Sequence, residues 1–298
     1  MLSADRAGDS AGAADAGTLD RADREVRANL LIAFPYFSDE AAARLTAAQG
    51  KVRLLVDSGA FTAWKAGKTI ALDDYCRFLE SLPFKPWRYF TLDVVGDPAG
   101  TLRNFEAMLK RGFKPVPIFT RGEDVGVLEE YYKHSDVVGV GGLVGTRDNR
   151  GFINGIMKRI GKRRVHWLGF TVFEYLKFYR PYMCDSSNWE SGGRFGAIKL
   201  YMGNGRYASI NKEEFAKQPD ATVLQRIKAL GFDPYALRHV EAWHGGESLN
   251  RRLCAASSLA LSLDIQRHLG TLMFNAIADT GRGVKFFLNA FDQLTEAA

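Results

Sequence analysis

The chain has 298 residues, 46% of them hydrophobic and 25% charged, the balance of a protein that buries a substantial core without covalent staples. Its formal net charge is +6. Residues 1–28 hold six acidic and four basic residues, which leaves +8 for residues 29–298. These values exclude a wholly disordered or fibrous chain, and no apolar run reaches the roughly 18 residues a spanning helix needs.

Residues 1–28 are rich in Ala, Gly and Asp and short of large apolar side chains, so a flexible leader is expected there and a secretory signal is not. Cys76, Cys184 and Cys254 are odd in number and far apart. That usage fits a reducing, cytoplasmic compartment rather than a disulfide framework. The basic body permits a polyanionic partner.

Residues 29–298 are expected to form a single domain. Short apolar runs recur at residues 30–33, 52–56, 89–92, 116–119, 137–140, 165–168 and 182–184, each with the look of a strand buried on both faces. Helical stripes stand between them. Leu72, Tyr75, Leu79 and Leu82 form one; Leu102, Phe105 and Leu109 form a second, closed by Gly112. A third, Phe152, Ile156 and Ile160, is closed by Gly161.

Strands alternating with helices imply a parallel sheet wrapped by helices. The first strand runs into Phe34-Pro35-Tyr36-Phe37, with neither G-x-G-x-x-G nor a Walker A sequence. A closed (β/α)8 TIM barrel is therefore expected over an open doubly wound sheet. Beyond Tyr201 the alternation fades, and residues 203–298 are read as a mainly helical C-terminal part. It holds a helix over Asp220–Gly231 with Asp220 as its cap, and a longer one over Leu253–Leu269. The expected eighth strand is Ala197–Met202.

Barrel enzymes place their chemistry at the C-terminal ends of the strands. Three apolar runs lead into a carboxylate there: Asp57, Asp93 and Asp185. Such a trio supports either a nucleophile paired with an acid/base or a divalent metal site. The fifth run opens into Gly141-Gly142-Leu143-Val144-Gly145, where bare backbone can approach a flat ligand. The five histidines show no metal-ligand spacing. Lys158, Arg159, Lys162, Arg163 and Arg164 precede the sixth strand, so they are expected at the barrel's bottom. Arg121, Arg147 and Arg150 follow strand ends and, with Arg194, Lys199 and Arg206, are better placed to meet phosphates.

Asp57-Ser58-Gly59-Ala60-Phe61 resembles the D-S-G-G-F motif of the tRNA-guanine transglycosylase (queuine tRNA-ribosyltransferase) superfamily. Gly141-Gly142-Leu143-Val144-Gly145 is similar to that superfamily's G-G-L-x-V-G loop, and His166-Trp167-Leu168-Gly169-Phe170 to its sixth-strand region. Met183-Cys184-Asp185 falls where the nucleophilic Asp stands. The pieces occur in order over about residues 50–200. The alanine at position 60 and the short chain look most like the phage and plasmid branch, the 7-deazaguanine DNA transglycosylases.

The resemblance implies exchange of guanine for a 7-deazaguanine, with Asp185 as nucleophile and Asp57 as general acid/base. Asp93 would read the guanine edge. Gly141 and Gly142 would offer N–H groups to the base carbonyl, Phe61 a stacking wall, and Ser58 and Gly59 support, with Ser58 binding the base or orienting Asp57. No metal or cofactor is implied, and the partners are nucleic acid and a small 7-deazapurine base. The superfamily's cysteine-rich zinc site has no counterpart here, which favours DNA over tRNA. Its V-Q-G segment is replaced by Ile118-Phe119-Thr120-Arg121-Gly122. A phage origin would place the protein in a host cytoplasm.

Overall fold

The structure, a computed structural model, describes residues 19–145, 149–192, 196–217 and 220–296. Eight parallel strands form one curled sheet: β1 (Ala28–Ala33), β2 (Val52–Asp57), β3 (Arg88–Tyr89), β4 (Ile118–Phe119), β5 (Val137–Val140), β6 (Arg164–Trp167), β7 (Met183–Ser186) and β10 (Leu272–Ile277). Their order is β3-β2-β1-β10-β7-β6-β5-β4. The two edges meet through the parallel bridge Phe90↔Val116, where Thr91 N–H donates to the Val116 carbonyl at 3.0 Å and Val116 N–H to that of Tyr89 at 2.8 Å. The fold is a (β/α)8 TIM barrel.

Alternation of side chains explains the layers. Leu31, Leu55, Phe90, Ile118, Met183, Leu272 and Phe274 point inward and fill the barrel. The other face of each strand packs against the helices. Gly112 and Gly161 end their helices at φ +85° and +65°, the left-handed region that only glycine enters without strain. Among the described residues no helix is long and apolar enough to cross a membrane.

The eighth barrel strand is Leu272–Ile277, not Ala197–Met202. The latter residues begin an antiparallel hairpin, β8 (Ala197–Gly203) with β9 (Arg206–Asn211). Its turn is Asn204-Gly205, with φ +52° and +72°, the pair that a two-residue hairpin loop favours. The hairpin and the short helices after it lie between β7 and the helix Leu249–Leu269 that leads back to β10. They therefore belong to the mouth side of the barrel and carry their own apolar cluster, with Ile198, Leu200, Ile210, Leu237 and Trp243.

The polypeptide over residues 19–27, expected within a flexible leader, is docked against the barrel floor. Ala28, the last residue of that expected leader, already begins β1, and residues 1–18 lie outside the described residues. Leu19 joins the interior cluster. Arg53, 1% exposed, donates to the carbonyls of Ala22, Asp23 and Glu25 at 2.7, 2.9 and 2.8 Å. Tyr182 donates to Asp23 Oδ2 at 2.6 Å, and Gln266 Nε2 to the Asp23 carbonyl at 2.9 Å. Breaking such a buried charged network is expensive. Arg53→Met is expected to lower stability by about 3 kcal/mol in urea denaturation and to open residues 19–27 to protease. An unchanged midpoint and cleavage pattern would show the network to be dispensable.

Candidate active site

Asp57 is the last residue of β2. Gly59 follows at φ +77°, and a Cβ there would sit 2.4 Å from Pro35 Cδ; only glycine turns the chain at this point. The turn lets Gly59 N–H donate to Asp57 Oδ2 at 2.8 Å. Ser58, fully buried, donates through Oγ to Asp93 Oδ1 at 2.9 Å and accepts from Ala60 N–H at 3.2 Å. Its hydroxyl therefore orients Asp93, while its backbone N–H bonds Asp57.

Asp185 lies on β7, beside His166 on β6. The strand register pairs His166 with Met183 and Trp167 with Cys184. The imidazole Nε2 is 2.8 Å from Asp185 Oδ1, and Gly169 N–H donates to the same oxygen at 2.9 Å. His166 is wholly buried, packs edge-on against Phe90, and its Nδ1 has no hydrogen-bond partner. The bond to a carboxylate therefore places the imidazole proton on Nε2. Nothing in the sequence pointed to this pairing, which depends on the register of β6 against β7.

Asp57 feels both of the other carboxylates. Burial pushes Asp57 up to about 7, and the charges of Asp93 and then Asp185 push it the same way, against the Gly59 hydrogen bond. Asp93 is raised by burial, opposed by the Ser58 hydroxyl. Asp57 is thus a carboxyl group that gains and loses a proton near neutrality, set beside an Asp185 held by two donors. Among the described residues no group of three or more His, Cys, Asp or Glu side chains is arranged to hold a metal ion.

Other expected residues divide. Gly142 has φ +74° and lies against Arg121, where a Cβ would come within 2.8 Å of the Arg121 Cβ. The Gly141 N–H donates to the Phe119 carbonyl at 2.8 Å, so it belongs to the barrel ladder and does not face a ligand. Phe61 is half exposed and follows Asp57 on the short helix Ala60–Lys65. Arg121 is bound into the scaffold: Nη2 donates to Asn149 Oδ1 at 2.8 Å, and the guanidinium lies 4.3 Å from the Phe152 ring centre. Arg150, Lys199 and Arg206 are exposed on mouth-side elements. Arg147 and Arg194 lie outside the described residues.

The cluster from Lys158 to Arg164 is at the bottom, as its place before β6 requires. Arg159 and Arg163 pair with Glu129, and Arg164 with Asp20 and Asp136. The three cysteines are buried free thiols.

No family model, no curated protein and no solved structure matches the chain. Its chemistry has to be read from the residues at the mouth.

Proposed function

We propose that the protein is a base-exchanging transglycosylase that replaces guanine in DNA with a 7-deazaguanine of the preQ0 type. The observation that carries this reading is the pairing of two unlike carboxyl groups at one barrel mouth. One is held by two hydrogen-bond donors; the other is poised near neutral pH.

Asp185 attacks C1′ of the target nucleotide from the face opposite the base. The C1′–N9 bond breaks, Asp57 gives its proton to the departing guanine, and the sugar is held as an Asp185 ester. The incoming base then loses its N9 proton to the Asp57 carboxylate and attacks C1′, and the ester bond breaks. Two displacements retain the configuration. Asp93, fixed by Ser58, accepts from the N1–H and the exocyclic amine of the purine. A purine lacking those donors would leave a buried carboxylate unpaired. The target nucleotide must leave the base stack to reach the mouth, and the exposed Arg150, Lys199 and Arg206 would meet its phosphates.

The test is incubation with labelled guanine or a 7-deazaguanine and either DNA or tRNA. Label is expected in DNA. Label in tRNA alone would move the substrate to RNA and keep the chemistry; label in neither would remove the reading.

His166 acts through Asp185 as a positioning residue. His166→Leu is expected to lower kcat about 10- to 100-fold, the range seen when a supporting shell residue is lost, with a smaller change in KM. His166→Gln, which keeps an N–H at the Nε2 position, should recover most of it. Equal loss in both variants would make the imidazole a packing residue only.

A further inference from the structure

Among the described residues, one pair of large aromatic side chains is exposed together, and it begins four residues after Asp57. Phe61 and Trp64 are 50% and 56% exposed. Their rings lie at 26° with centroids 6.0 Å apart. The Lys65 ammonium is 4.3 Å from the Phe61 ring centre. Neither Lys65 nor Lys68 pairs with a carboxylate among the described residues, and the helix that carries the pair has no acid in its first turn. A core role does not explain these rings, because Phe61–Thr69 is almost entirely exposed. The Gly59 turn fixes their place: the helix leaves directly from Asp57, and Trp64 lies on the order of 10 Å beyond it by helical rise and turn length. That reach covers a few nucleotides at roughly 3.4 Å each.

We infer that Phe61 and Trp64 form a stacking platform for an unpaired base flanking the target nucleotide in single-stranded DNA, with Lys65 and Lys68 meeting the adjoining phosphates. The inference rests on the reading that the mouth takes nucleic acid, and adds to it the state of the strand. In a duplex the faces of the bases are covered by their neighbours and only edges and phosphates are offered. An aromatic pair flanked by cations that have no carboxylate partner among the described residues suits a base whose own face is open, and such stacking tolerates any sequence.

Trp64 makes the platform observable. Of the five tryptophans, Trp167, Trp189 and Trp243 are buried and Trp87 is partly covered, while Trp64 is exposed. The full chain is titrated with a guanine-containing single-stranded oligodeoxynucleotide, the matching duplex and the RNA equivalent, following tryptophan fluorescence and, separately, anisotropy of a labelled strand. The single strand is expected to quench the parent. Quenching should vanish in Trp64→Phe while affinity stays within about threefold, since phenylalanine still stacks. Trp64→Ala should bind the single strand roughly 5- to 150-fold more weakly, the span of one base–aromatic stack, and the duplex nearly as the parent does.

Unchanged single-strand affinity in Trp64→Ala would remove the platform and leave the nucleic-acid reading standing. Weakening confined to RNA would overturn the DNA assignment. A parent that binds no nucleic acid would remove both.

Discussion

Asp185→Asn is expected to abolish base exchange, by about 10³- to 10⁶-fold, as loss of a nucleophile does when no neighbour replaces it. The substitution preserves shape and leaves an oxygen for His166 and Gly169 to bond, so the fold and DNA binding should persist. The informative measurement is trapping: parent protein mixed with labelled DNA and denatured should carry a covalent DNA adduct, and the variant none. An adduct that survives in the variant, or maps by mass spectrometry to Asp57 or Asp93, would assign the nucleophile elsewhere. Removing the Asp185 charge should also lower the pKa of Asp57, because that charge is one of the causes raising it.

The second large effect is the pH dependence set by Asp57. With its pKa raised from 3.8 to about 7, the group is mostly protonated at pH 6 and mostly ionised at pH 8. On the proposed chemistry guanine release needs the acid form and uptake of the new base needs the carboxylate, so exchange should peak near neutrality. Single-turnover guanine release should fall as pH rises above 7. Asp57→Asn should lose about 10²- to 10⁴-fold of the rate and the pH dependence with it.

Stability carries the same signature. The folded state holds this proton more tightly than the unfolded chain does. Its contribution is therefore intact below pH 3.8, is lost progressively as pH rises to about 7, and stays lost above. Asp57→Asn removes the penalty. Relative to the parent it should gain stability at pH 8, by at most about 4 kcal/mol at 1.36 kcal/mol per pKa unit, and gain much less at pH 4. Urea denaturation at the two values distinguishes this from a variant that is simply better or worse packed.

The strands were legible where a mostly apolar run stood between turns, because burial on both faces admits few polar positions, Arg53, Thr91 and His166 among them. Asp57, Asp93 and Asp185 were visible for the same reason, each closing such a run. Leu272–Ile277 escaped because it begins three residues after the end of a 21-residue helix that is itself rich in apolar residues, and because it contains Asn275. That residue is buried, and its side-chain oxygen accepts the Ser258 hydroxyl at 2.5 Å. The place of the eighth strand then went to Ala197–Met202, although Asn204-Gly205 just beyond is a hairpin signal.

Pairings across the barrel were not legible. His166 with Asp185 depends on strand register. Arg53 with the carbonyls of residues 22–25 depends on a segment whose composition reads as unstructured. Phe61 was as compatible with a core position as with the exposed one it occupies, since the period of a six-residue helix is too short to separate them.

Leu19, Arg53 and Tyr182 fill the floor end of the barrel, so the proposed chemistry uses the mouth as its doorway. On the proposed chemistry, guanine cut from its sugar has to depart past the strand still esterified to Asp185 before the replacement can enter. Both bases then compete for one vacancy, so accumulating guanine would drive the exchange backwards, and net modification depends on whatever drains guanine from the surroundings.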